Sequence, residues 1–153
     1  MGDIDLTRGE TMTKTRDVLL LIARIGIGVV FIAHGLQKLA IDGMSATAAG
    51  FVEMGVPLPT LSAWVAALIE LLGGVSLILG LLLPVFGVLL AADMVGAGLI
   101  AHIGSGFFAT DGGFEYVLVL ALTSLALGFC GGRFALDRKL NPRAPVLRAA
   151  TAG

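Results

Sequence analysis

The chain has 153 residues, is 57% hydrophobic with a mean hydropathy of +0.98, and is only 14% charged, against about 25% in an average soluble domain. Its net charge of −1 excludes nucleic acid as a partner, and its length suits one domain. Eight of its ten Lys/Arg lie in the first sixteen residues or the last twenty-one, leaving a nearly uncharged middle. That is the pattern of an integral membrane protein with two polar tails, whose first partner is the lipid bilayer.

Residues 1–17 read as a polar tail, with Met12 an alternative start that would make residues 1–11 a dispensable extension. The first helix is expected over about 18–40, since some 20 apolar residues cross a bilayer core. A basic start before an apolar run is also how a cleaved leader begins. Here Arg24 interrupts the run and no small-x-small site follows, so the leader reading is rejected. A long loop then runs from Ile41 to Pro59. Leu61 to Ile103 is too long for one helix, and Pro84, which lacks an N–H and disfavours helix at Leu83, splits it into helices over about 60–83 and 85–104. Residues 104–113 form a glycine-rich loop with Phe107 and Phe108 as interfacial anchors, and Thr110 or Asp111 is placed to cap a fourth helix over about 113–131. The membrane domain is thus 18–137. A basic tail covers 138–153, disordered from Asn141 onward.

The expected fold is all-α, a bundle of four transmembrane helices. Four spans leave both termini on one side, and eight basic residues on those tails make that side cytoplasmic. Cys130, the single cysteine, excludes an intrachain disulfide and thiol-based metal clusters, and reads as a packing residue.

Between Leu58 and Ala92 the only ionisable side chain is Glu70. An unpaired charge at mid-depth in lipid costs on the order of 3 kcal/mol, so an acid there calls for a partner. Counting along each span puts Arg24, Glu70 and Asp93 near the midplane, as a structural ion cluster in which one arginine faces two acids. A second polar group ends the helices on the far side: His34, Gln37, Lys38, His102, Asp111, Glu115 and Tyr116. Arg24, His34 and Lys38 fall within roughly 80° of one helix face, whereas Asp93 and His102 are about 180° apart on theirs. Asp93 therefore points elsewhere, unless Gly96 and Gly98 permit a bend.

The far-side group is the candidate ligand pocket, with His34, Lys38, His102, Asp111 and Glu115 as contacts and Gln37 and Tyr116 beside them. Each has a plainer reading too: capping explains Asp111 and Glu115, and an interfacial hydrogen bond explains either histidine. Two histidines on different helices are the minimum for bis-histidine haem, but both lie at helix ends and Lys38 is one turn from His34, which disfavours haem. No tight ligand spacing supports a metal. A quinone, a headgroup or a small anion suits the pocket better. A quinone would need proton donors, which His34 or Glu115 could supply. Thiosulfate would need cations such as Lys38.

Arg24 followed by His34-Gly-Leu-Gln-Lys38, then Glu70-Leu-Leu-Gly-Gly74, then His102, Gly106-Phe-Phe108 and Asp111-Gly-Gly-Phe-Glu-Tyr116, resemble the DoxX family over about residues 18–137. The ending Gly132-Arg-Phe-Ala-Leu-Asp137 is also similar. The resemblance implies a small four-helix protein of the bacterial cytoplasmic (inner) membrane, multi-pass. It further implies a membrane subunit in sulfur or thiol redox handling, or in oxidative-stress handling, linked to quinone. Some members are associated with thiosulfate:quinone oxidoreductase, and mycobacterial ones with a complex containing superoxide dismutase and a sulfurtransferase. An enzymatic role would be that of an oxidoreductase subunit. Two rivals remain: a non-catalytic anchor that docks soluble redox enzymes through Arg138, Lys139, Arg143 and Arg148, and a small proton-coupled carrier; a homo-oligomer is a further possible assembly.

Overall fold

The computed structural model describes residues 3–140, with side chains from Thr11 onward. The segment 141–153, expected to be disordered, lies outside the described residues. Among those described there is no β-strand. The α-helices are α1 (Asp3–Leu36), α2 (Met44–Glu53), α3 (Pro59–Leu79), α4 (Leu83–Ala97), α5 (Glu115–Phe129) and α6 (Leu136–Leu140).

Three helical stretches, Thr11–Ile41, Pro59–Leu79 and Leu83–Ser105, are long and apolar enough to cross a membrane. The fourth expected span is shorter: α5 has 15 residues, about 22 Å at 1.5 Å per residue. α1 begins well before residue 18, so the basic leader continues the same helix. α4 is extended by a π-turn, Gly98–His102, and a 3₁₀ turn, Ile103–Ser105.

The second and third spans part at Gly80, not at Pro84. Gly80 adopts a left-handed conformation (φ 71°), and the N–H groups of Gly80 and Leu81 both reach back to the Ser76 carbonyl, at 2.8 and 3.1 Å. Pro84 lies in the first turn of α4, where its missing N–H costs nothing because first-turn donors lack helical acceptors anyway. The proline therefore marks the start of a helix, and the glycine marks the stop.

Helix follows helix antiparallel around the bundle: α1 lies on α3, α3 on α4 and α4 on α5, with α5 returning to α1. Glycines set two of these crossings. A Cβ on Gly28 would sit 2.7 Å from the Gly74 carbonyl, and one on Gly87 2.7 Å from Gly128 Cα, so the backbones meet with nothing between them. Inside lie Phe31, Leu77, Leu83, Leu90, Leu120 and Leu127, while Leu19, Ile22, Leu72 and Leu122 point outward. A surface this apolar suits lipid, where only backbone polarity must be hidden and helices hide it internally.

The first long loop holds an element that the sequence reading did not anticipate. α2 packs on α3 between two left-handed glycines, Gly43 (φ 80°) and Gly55 (φ 72°). At ten residues it is about 15 Å long and too short to cross.

Candidate functional site

Glu70 is nearly enclosed, at 5% side-chain exposure, and its partner is Lys38. Lys38 Nζ donates to both carboxylate oxygens, at 2.6 and 2.9 Å, from a π-turn (Gln37–Ile41) that ends α1. Such widened turns recur at functional sites. The expected Arg24–Glu70 pair is thus corrected. α1 and α3 run antiparallel with Gly28 against Gly74, which puts Arg24 beside Gly80, about ten residues or 15 Å from Glu70. Depth had been counted from residue 18, whereas the level of Arg24 is set by the turn it packs against.

Asp93 belongs with Lys38 and Glu70. Both act on it electrostatically across the bundle, and its Oδ2 is buried with no hydrogen-bond partner among the described residues. Asp93 on α4 therefore lies within electrostatic range of the Lys38–Glu70 pair. Between Asp93 and His102 the helix is irregular, with a π-turn at Gly98–His102.

Lys38 also faces an open pocket of about 550 Å³ between the end of α1 and α2, lined by Gln37, Lys38, Asp42, Thr47, Phe51 and Met54 among others. Thr47 ties α2 to this turn by donating to the Lys38 carbonyl at 3.2 Å. Its lining mixes polar and apolar side chains. The lysine that joins cavity to cluster is 21% exposed.

The remaining expected site residues divide. Gln37 and Lys38 line the cavity. His34 meets Tyr116 of α5, with ring centroids 6.2 Å apart. Asp111 instead belongs to the 103–114 loop, which His102 and Glu115 hold from its two ends. His102 Nδ1 donates to the Gly112 carbonyl at 2.8 Å, and Glu115 Oε1 accepts the Ala109 N–H at 2.8 Å. Asp111 sits in a 3₁₀ turn, Ala109–Asp111, and neither it nor Thr110 caps α5, which starts after Phe114 with no side-chain cap. Among the described residues no three His, Cys, Asp or Glu gather as metal ligands.

Arg24 works at the other end of the bundle. Fully buried, it donates from Nη1 to the Gly131 carbonyl at 2.7 Å. Gly131 opens a strap, residues 131–137, whose Asp137 carboxylate accepts the Leu82 and Leu83 N–H groups at 2.7 and 2.8 Å. The charge of Asp137 also acts on Arg24. Leu82 is left-handed (φ 52°), which costs an ordinary side chain about 1 kcal/mol, and its bond to Asp137 helps to hold it there. Asp17, buried on α1, accepts the Arg133 N–H at 3.1 Å.

The sequence reading missed Asp42, Thr47, Phe51 and Met54, because α2 was hidden inside a loop; the alanine-rich run Met44–Glu53 was the available helix signal. It also missed Asp17 and Asp137, which sit in parts taken as tail or tail edge.

With this geometry in view, comparison with known proteins places the chain. The family model described as DoxX matches residues 19–103, more than half of it. The chain belongs to the DoxX family. This DoxX chain is 38% identical over 127 residues to a Bacillus subtilis (strain 168) protein named "Putative oxidoreductase CatD", covering 82% of this chain and 90% of that one. It is 31% identical over 137 residues to an uncharacterized membrane protein of Mycobacterium tuberculosis, covering 82% and 83%. Over a shorter stretch of 87 residues it is 33% identical to the inner membrane protein YphA of Escherichia coli, covering 57% and 61%. No solved structure matches. The cluster and the α1 end of the cavity fall inside the matched region, whereas the strap, at 131–137, lies beyond it.

Proposed function

We propose that this DoxX-family chain is a multi-pass subunit of a redox complex in the bacterial inner membrane, and that the cavity beside Lys38 takes the headgroup of a quinone. In this reading α1, α3, α4 and the shorter α5 all cross, both tails are cytoplasmic, and α2 lies at the outer interface above the cavity.

The observation that carries the reading is the cavity itself. Its volume lies within the roughly 300–1,000 Å³ usual for small-molecule sites. Its chemistry selects among the ligands. Glu70 already balances the charge of Lys38 and Asp42 adds a second acid, so the walls carry no net positive charge for thiosulfate. A neutral headgroup with two carbonyl oxygens suits Lys38 and Gln37 as donors, and Phe51 and Met54 as apolar walls. An isoprenoid tail would leave sideways into lipid. The oxidoreductase sense in the name of the B. subtilis relative accords with this.

The test is binding of decylubiquinone to the full chain in lipid nanodiscs. Binding that weakens at least tenfold in Lys38→Met supports the reading, and wild-type protein that takes up no more quinone than empty nanodiscs ends it.

A second reading, an anchor for soluble redox enzymes, is favoured by the inner end. There Arg133, on the strap held by Arg24, Asp17 and the start of α4, and Lys139, just after it, are exposed. Arg143 and Arg148 lie outside the described residues. Loss of co-purifying proteins on removal of the tail, with quinone binding intact, would favour the anchor.

A further inference from the structure

α2 and the residue after it turn one face to the pocket beside Lys38: Ala46, Thr47, Gly50, Phe51 and Met54, spaced by threes and fours as one side of a helix requires. The face is held in place, since α2 packs on α3 and the Thr47 hydroxyl lies 3.1 and 3.2 Å from the Gly43 and Lys38 carbonyls. Gly50 is its odd member. Inside a helix glycine is less favourable than alanine, so its presence calls for a reason. Backbone conformation supplies none, because Gly50 is helical and not left-handed. Close packing supplies none either. A Cβ on Gly28, Gly74 or Gly87 would strike a neighbouring helix, whereas one on Gly50 would meet nothing within 4 Å. Gly26 and Gly96 are open in the same way, but neither lines this pocket. What the missing side chain at residue 50 leaves is room on the binding face.

We propose that Gly50 is a specificity-determining residue: the gap it leaves takes the ring substituents of the quinone headgroup, so the bulk at position 50 decides which headgroups fit. This deepens the quinone reading above and rests on it. A ring whose carbonyl oxygen accepts from Lys38 lies between the end of α1 and α2, and its substituents meet the α2 face. On that face Phe51 and Met54 are bulky and Thr47 is engaged by two carbonyls. Gly50, with Ala46 one turn before it, is the low part of the wall. Size sorts ligands well at such a place, since one methylene more or less against an apolar wall is worth about tenfold or more.

Equilibrium binding to the full chain in lipid nanodiscs tests this with two ligands that share a tail. One is decylubiquinone, whose ring carries methoxy and methyl groups; the other is 2-decyl-1,4-benzoquinone, whose ring carries none of these. Gly50→Ala should weaken decylubiquinone about threefold or more and the plainer ring less than about twofold. Its unfolding midpoint should stay at or above that of wild type, as alanine favours the helix. Gly50→Leu should weaken decylubiquinone about tenfold or more. Ala49→Leu adds the same side chain one residue away, off the pocket face, and should leave both ligands within about twofold of wild type. Wild-type affinity for decylubiquinone in Gly50→Leu, equal losses for both ligands in Gly50→Ala, or as large a loss in Ala49→Leu overturns the proposal and leaves the quinone site standing. Wild-type protein that takes up no decylubiquinone overturns both. Should Gly50→Leu not fold, Gly50→Ala decides through the ratio of its two affinities, which a merely structural role would not move.

Discussion

Lys38 and Glu70 illustrate how lipid changes the value of an ion pair. In water such a pair is worth little. Here the carboxylate is almost enclosed, and removing one member of a buried pair costs about 3–5 kcal/mol because the other is left uncompensated. Lys38→Met should therefore lower the thermal unfolding midpoint clearly in detergent, and adding Glu70→Leu should recover most of the loss. A double variant as unstable as the single one would show that the pair is not the coupled unit. Arg24 predicts a different failure. Arg24→Leu frees the Gly131 carbonyl and the strap but leaves Lys38–Glu70 untouched. Limited proteolysis should then cut near residues 131–137 faster than in wild type, with decylubiquinone binding unchanged within about twofold. Loss of binding without faster cleavage would contradict this division of roles.

Among elements, the crossings at Gly28–Gly74 and Gly87–Gly128 leave no room for a side chain. Gly74→Val would push its Cβ into the Gly28 carbonyl and into Ile32, and overpacking of this kind costs about 1–3 kcal/mol. Gly26, by contrast, has open space where a Cβ would stand, so Gly26→Ala should be tolerated. Unfolding midpoints of the two variants check the pair: Gly74→Val well below wild type, Gly26→Ala within a degree or two. What could be read from the sequence follows the same physics. Long apolar runs are visible because lipid demands them, and so were α1, α3 and α4. α2 was not, since ten residues that only half-bury leave no comparable signature. Arg24 and Glu70 were recognised as buried, yet paired with each other, because pairing depends on the level at which antiparallel helices meet. That level is set by Gly80 and by the Gly28–Gly74 contact, neither of which can be read from hydropathy. His102 and Glu115 were seen as ligands, when a loop of glycines and a 3₁₀ turn needed their hydrogen bonds first.

For the whole molecule, the bundle has two polar ends with different work. One carries the cavity and its charged cluster, and the other carries the strap that closes α3, α4 and α5 together. Cys130, exposed at the strap end, offers a test of the proposed orientation. A membrane-impermeant maleimide should label Cys130 in inverted inner-membrane vesicles and not in intact spheroplasts, whereas Ser45→Cys, at the start of α2, should behave in the opposite way. The reverse pattern would turn the molecule over.

The shortness of α5 acts on the bilayer as well as on the fold. At about 22 Å it falls short of a hydrocarbon core of about 30 Å, while its neighbours do not. On the proposed four-span reading, lipid along that one side compresses or another protein covers it, and each ångström of mismatch costs a fraction of a kcal/mol. The molecule is therefore hydrophobically lopsided. In that reading it is drawn towards thin membrane, and the proposed redox complex assembles along the α5 flank.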